Sequence, residues 1–153
     1  MELSTSDRPL SAADYATLAS FRRVLRTYLR FSERRIREQG LAPVQYLALL
    51  AIEAGDVSPT VGSLARWLEI APHSAAELVN RLEAANLAQR QPDASDGRQV
   101  RVSLTSRGRA TLDRLAAIHH EELQTTGPLL IRELARLTAC RPDRSDHENN
   151  TTR

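Results

Sequence analysis

Apolar positions recur at helical spacing along most of this chain and switch to strict alternation in one short stretch. Leu18, Phe21, Leu25, Tyr28, Leu29 and Ile36 share a helical period and predict a long first helix. Ser11 and Asp14 have the spacing of a capping box that opens it, with Leu10 and Tyr15 placed for a hydrophobic staple. Gly40 is placed to close it. Pro43 suits the first turn of a second helix carrying Tyr46, Leu47, Leu50 and Ile52, which Gly55 ends. Next come a short helix over Thr60–Glu69 and a longer one over Pro72–Ala85. The pattern then changes: Leu87–Gln91 reads as a strand, Pro92–Gln99 as a polar loop, and Val100–Leu104 as a returning strand. In the last of these, Val100, Val102 and Leu104 alternate with Arg101 and Ser103. Thr105 can cap a further helix to about Leu123, bearing Leu112, Leu115 and Ile118. Gly127-Pro128 is expected to break it and restart a last helix striped by Leu130, Leu134 and Leu137. Residues 1–10 read as an N-terminal tail, and 141–153, polar and without a core-forming residue, as a disordered one.

These elements define a mainly α protein with a small β-wing (α+β). A winged helix-turn-helix occupies 41–105, with helical regions at 11–40 and 106–139 around it. That shape fits duplex DNA, one helix in the major groove and the wing beside it. On the Pro72–Ala85 helix, Ala75, Leu78, Val79, Leu82 and Ala85 fall on one face. His73, Ser74, Glu77, Asn80, Arg81 and Ala84 fall on the other. Arg81 and Asn80 have the chemistry to read guanine and adenine edges, and Glu77 can accept from a cytosine amino group. The helix N-terminus favours a phosphate. The bland alternative is a solvated helix face. In the wing, Arg98 can enter a narrow minor groove, and Asp96 can orient it through a charge-assisted hydrogen bond. Here the bland alternative is an ordinary Asp-Gly turn. Hairpin and helix pair together are more specific than either alone.

Composition narrows the field. At 153 residues the chain makes one domain, and its formal net charge of +2 permits nucleic-acid binding without demonstrating it. Its 21 basic residues are all arginine. A lone cysteine, Cys140, excludes an intramolecular disulfide and fits a reducing compartment. No apolar run approaches about eighteen residues and no secretory signal is present, so a soluble, cytoplasmic protein without a membrane partner is expected. There is no nucleophile–histidine arrangement, glycine-rich phosphate loop or paired-histidine metal motif. The expectation is a protein that is not an enzyme and holds no cofactor or metal.

The order of elements resembles the MarR family of bacterial transcription regulators over about residues 12–139. The resemblance is carried by Gly40-Leu41-Ala42-Pro43-Val44-Gln45-Tyr46, by Leu64-Ala65, and by Leu78-Val79-Asn80-Arg81-Leu82-Glu83. With them go the wing Asp96-Gly97-Arg98, matching the family's D-x-R signature, and Val102-Ser103-Leu104-Thr105 leading to Gly108. It implies a homodimer whose first and last helices intertwine as a dimerisation region. Two winged domains would then meet a pseudo-palindromic operator, their recognition helices about 34 Å apart. Three positions depart from the pattern. Ser95 stands where arginine is frequent, Glu77 puts an acid on the reading face, and Asn86 replaces the usual glycine.

The same resemblance implies a transcription repressor released by a small aromatic or anionic effector held between the dimer helices and the winged domain. Tyr28, Tyr46, Trp67 and Arg26 are the candidate effector contacts, with Tyr15, Arg22 and Arg30 beside them. Core packing of the aromatics and solvation of the arginines is the competing reading. Residues 20–40 hold seven arginines against two glutamates, and Glu33 and Glu38 can pair within the helix. Thiol sensing at Cys140 and metal sensing at His119, His120, Glu121 and Glu122 are alternatives with less behind them. From a different class comes a winged-helix module that binds protein instead of DNA; it would not need both Arg98 and the Ser74–Arg81 face.

Overall fold

The computed structural model describes residues 10–55, 58–93 and 99–139. Its elements run α1 (Ala12–Glu38), α2 (Pro43–Glu53), α3 (Val61–Trp67), α4 (Pro72–Ala84), β1 (Ala88–Pro92), β2 (Val100–Leu104) and α5 (Ser106–Thr138). The winged helix-turn-helix architecture expected from the sequence is therefore present. Residues 1–9 and 140–153, with Cys140, lie outside the described residues, as do Ser95, Asp96 and Arg98.

Local chemistry sets the boundaries. The Ser11–Asp14 capping box opens α1, the Ser11 N–H donating to Asp14 at 2.8 Å and the Asp14 N–H to Ser11 Oγ at 3.2 Å. Leu10 and Tyr15 stay 43% and 61% exposed, so little of the expected staple is buried. Thr60 caps α3 by accepting from the Ser63 N–H, and Thr105 caps α5 by accepting from the Gly108 N–H. Three helices close in the same manner, with a residue of positive φ and two backbone bonds folding back onto the last turn. These residues are Gly40 (φ 74°), Glu69 (φ 54°) and Asn86 (φ 56°). After α4, the Asn86 N–H donates to Glu83 O and the Leu87 N–H to Leu82 O, both at 2.8 Å. This closure uses the Leu87 N–H, so β1 begins at Ala88, one residue later than the alternation suggests.

Leu49, Leu64, Leu78, Leu82, Val102 and Leu115 are almost wholly buried and form the centre of a core shared by the winged domain and the start of α5. β1 and β2 pair antiparallel from Ala88 with Leu104 to Pro92 with Val100. Val102 is buried, whereas Val100 is 45% exposed at the far end of its strand. On its outer edge β2 meets Pro59 and Thr60: the Val102 N–H donates to Pro59 O at 2.8 Å, and Thr60 bridges Arg101.

The helix break expected at Gly127-Pro128 does not occur, and α5 runs unbroken for 33 residues with Pro128 inside it. Proline clashes with the side chain of the residue before it when that residue is helical. Glycine has none, so that part of the clash is absent at Gly127. The helix then loses one hydrogen bond and continues. α5 packs antiparallel on α1, placing Gln39 near Arg114, Phe31 near His119 and Tyr28 near Glu122. The expected stripe of Leu130, Leu134 and Leu137 is rotated: Leu134 is 44% exposed, while Thr126 and Glu133 are buried. Glu133 meets Arg132 at 3.0 Å and Arg136 at 3.7 Å. No described helix is long and apolar enough to cross a membrane.

Candidate nucleic-acid interface

α4 is amphipathic because its apolar residues return every three or four positions. Ala75, Leu78, Val79 and Leu82 are buried against the domain, and Ala85 is half-buried at the cap. The other face carries His73, Glu77, Asn80 and Arg81, all exposed, with Ser74 half-exposed at their edge. One row of polar side chains therefore stands free along the helix, as the sequence predicts. No side chain caps its N-terminus and Pro72 fills the first turn, leaving the N–H groups of His73 and Ser74 directed off the helix end.

The orientation of this helix is fixed from behind. Glu83, on the flank of α4, accepts from the Arg90 N–H at 2.9 Å and from the Arg90 guanidinium. That guanidinium also reaches Ala76 O at 3.5 Å. Both side chains are about two-thirds buried, so α4 and β1 are held as one unit by charge-assisted bonds. Replacing Glu83 with alanine should cost roughly 1–2 kcal/mol, less than a fully buried pair because water reaches both groups. Urea unfolding of the two proteins checks it, and an unchanged midpoint would show that the pair contributes nothing.

At the base of the wing, the Asp93 N–H donates to Gln99 O at 2.9 Å. Asp96 and Arg98, the two wing residues singled out in the sequence, lie outside the described residues, so their geometry is not part of the site drawn here. The sequence reading missed Arg101. It takes the outward place in the β2 alternation, yet its guanidinium meets Asp93 and donates to Ser58 O at 2.7 Å. No local period signals a partner 43 residues away.

The candidate effector residues separate. Tyr46 is buried on α2, its ring 4.8 Å from that of His119, and Phe31 closes the other side at 6.3 Å. Tyr28 lies near both Tyr46 and Glu122. Burial, with Glu122 adding to it, raises the Tyr28 pKa above its ordinary value; burial, with Tyr28 adding to it, raises that of Tyr46. Beside them a cleft of about 440 Å³ is lined by Thr27, Arg30, Phe31, Arg34 and Glu122. Arg26 lines a second cleft farther along α1, with Arg22, Leu25 and Leu29. Trp67 stands 55% exposed at the end of α3, among the described residues without a ring contact to the tyrosines. Glu33 and Glu38 pair within α1 with Arg37 and Arg35. Arg22, Arg23, Arg26 and Arg30 form no ion pair among the described residues. His119 is inside the core and Glu122 accepts from Thr126, and among the described residues no three potential ligands gather for a metal.

Three comparisons bear on this arrangement. The model of the MarR family matches residues 39–99, from the start of α2 to the wing. Among solved structures, AbsC, a MarR family transcriptional regulator from Streptomyces coelicolor, superposes with a TM-score of 0.67 at 21% identity, covering 84% of this chain and 91% of that one. A variant of MepR from S. aureus, bound to an oligodeoxyribonucleotide, gives 0.63 at 23% identity, covering 82% and 91%. YusO from Bacillus subtilis gives 0.64 at 22% identity, covering 85% and 96%. No curated protein matches by sequence. Residues 39–99 match the model of the MarR family, and the fold as a whole is similar to that of solved MarR family regulators.

Proposed function

We propose that the protein is a homodimeric, sequence-specific DNA-binding transcription repressor of the cytoplasm, released from its operator by a small effector. The observation that carries this reading is the free polar row of α4, His73, Ser74, Glu77, Asn80 and Arg81, on a helix whose back is wholly buried. In this reading the row enters the major groove, with Arg81 and Asn80 reading purine edges and Glu77 selecting cytosine or excluding other bases. The His73 and Ser74 N–H groups meet a phosphate. Arg98 enters the adjacent minor groove and Asp96 holds it. The likeness to MepR, which has been solved with an oligodeoxyribonucleotide, supports this docking.

Dimerisation is supported by apolar side chains that the single chain leaves in water. Leu18 and Leu29 on α1, and Leu123, Leu129, Ile131 and Leu134 on α5, are 36–69% exposed on the two helices outside the winged domain. Exposed apolar side chains in that number suit a partner helix. The effector would be aromatic or anionic and enter beside Tyr28 and Tyr46. Arg26 and Trp67 would contribute only if the dimer brings them to the same crevice.

Titration against the DNA upstream of its own coding region, at two salt concentrations and beside unrelated DNA, tests the reading. Specific binding that weakens steeply with salt is expected. Arg98→Ala should weaken binding to most sequences together. Arg81→Ala should cost roughly 1–3 kcal/mol at particular base positions. Affinity equal to that for unrelated DNA would remove the regulator reading for that site, and unchanged affinity in both variants would remove these roles.

A further inference from the structure

We propose that Arg101 is a positioning residue for the wing, latching the neck of the hairpin to the segment that leads into α3. The inference rests on the DNA-binding reading and adds to it a residue that never touches DNA.

Three bonds converge on one guanidinium and its strand. Arg101 donates to the carboxylate of Asp93 and, through Nη1, to Ser58 O at 2.7 Å. Its own backbone bridges Thr60, and the next N–H, that of Val102, donates to Pro59 O. Asp93 in turn closes the loop base by donating its N–H to Gln99 O. The Asp93 side chain is only 5% exposed, and a buried carboxylate persists only where a cation or several donors hold it. Arginine suits this place because its planar fork can serve a carboxylate and a carbonyl at once, and lysine cannot reproduce that geometry. Ser58 stands three residues before the first residue of α3, and Thr60 caps that helix. The latch therefore ties the neck of the wing directly to the helix-turn-helix.

The consequence is angular. A two-stranded hairpin is marginal alone and free to swing about its base. With Arg101 in place the neck, Asp93 with Gln99–Arg101, holds a set direction relative to α4. Affinity then includes less of the cost of ordering the wing on DNA.

The test uses the full-length protein and a duplex that it selects from a random-sequence pool. In Arg101→Gln, affinity should fall about tenfold. Hydroxyl-radical protection of the flanking minor grooves should be lost, while methylation protection of guanines under α4 persists. Amide hydrogen exchange, without DNA, should accelerate at Gln99–Val102 and not in α4. Arg101→Lys should recover affinity only in part. If Arg101→Gln keeps affinity and both protections, the latch has no positioning role. Loss of both protections together, with faster exchange in α4, would make Arg101 merely structural and overturn the proposal equally. A wild-type protein that enriches no sequence would sink the DNA-binding reading and this proposal with it. The exchange result would then still report whether the neck is held.

Discussion

Gly108→Ala should destabilise the protein by about 3 kcal/mol, at the upper end of what overpacking commonly costs. A Cβ at this position would stand 1.8 Å from Leu87 O and 2.8 Å from the Leu87 carbonyl carbon. The obstacle is backbone, and it is backbone already in use. Leu87 O accepts from the Thr105 N–H at 3.1 Å, and Asn86 O accepts from the Thr105 hydroxyl at 2.7 Å. Neither α5 nor the closing turn of α4 can retreat without breaking those bonds. At this chain length 3 kcal/mol corresponds to a fall in melting temperature of roughly 6–12 °C. Gly62→Ala is the control, since its nearest atoms lie at 3.9 Å and a helical alanine is favoured over glycine by about 0.5–1 kcal/mol. Equal melting temperatures for Gly108→Ala and the parent would show that α5 is free to move away.

The second large effect is a pH dependence centred on His119. Its ring is 4% exposed between Phe31 and Tyr46, and neither nitrogen has a hydrogen-bond partner of good geometry. Burial lowers its pKa below the ordinary 6.5, an effect that the Ser32 backbone opposes. The unfolded chain takes up this proton near pH 6.5 and the folded protein only at lower pH, so between the two the unfolded state holds more protons. Stability rises with pH across that interval; it is complete above about 6.5 and is lost progressively as pH falls below it. Tyr28 and Tyr46 stay neutral throughout, so they do not compensate. Arg35, stacked over Phe31 with its charge 5.2 Å from the ring centre, gives the imidazolium no relief. His119→Leu should flatten the slope between pH 5 and 6.5 and exceed the parent by about 1–3 kcal/mol at its acid end, the cost of an unsatisfied buried polar group. Urea midpoints measured across that range decide it. Parallel pH profiles for the two proteins would remove His119 as the cause.

The elements were legible wherever one local signal governs them. The capping box, the buried face of α4 and the positive φ at Gly40 and Asn86 follow from side-chain chemistry at fixed spacing, and all appear where that chemistry puts them. Glu69 was not legible. Glutamate has no preference for the left-handed region, and only the tight connection between α3 and α4 forces it there. Gly127-Pro128 misled because each residue alone signals a break, whereas together the glycine removes the part of proline's clash that a side chain before it would create. The α4 reading face was visible as a pattern, but Glu83 with Arg90 and Arg101 with Ser58 were not. Pairs brought together by the fold leave no trace in a local period. Glu133 was missed for another reason: its arginine partners are local, but the burial of its charge has no hydropathic signature.

The unbroken α5 has a mechanical consequence. Thirty-three residues at about 1.5 Å each make a rod of about 50 Å. A tilt of a few degrees at its C-terminal half becomes a displacement of several ångströms at the other end. There Gly108 rests on Leu87 with no side chain to cushion the contact, and Leu87 is bonded directly to the last turn of α4. The helix is thus a lever whose short arm bears on the base of α4. Gly108 is the point where that arm makes contact.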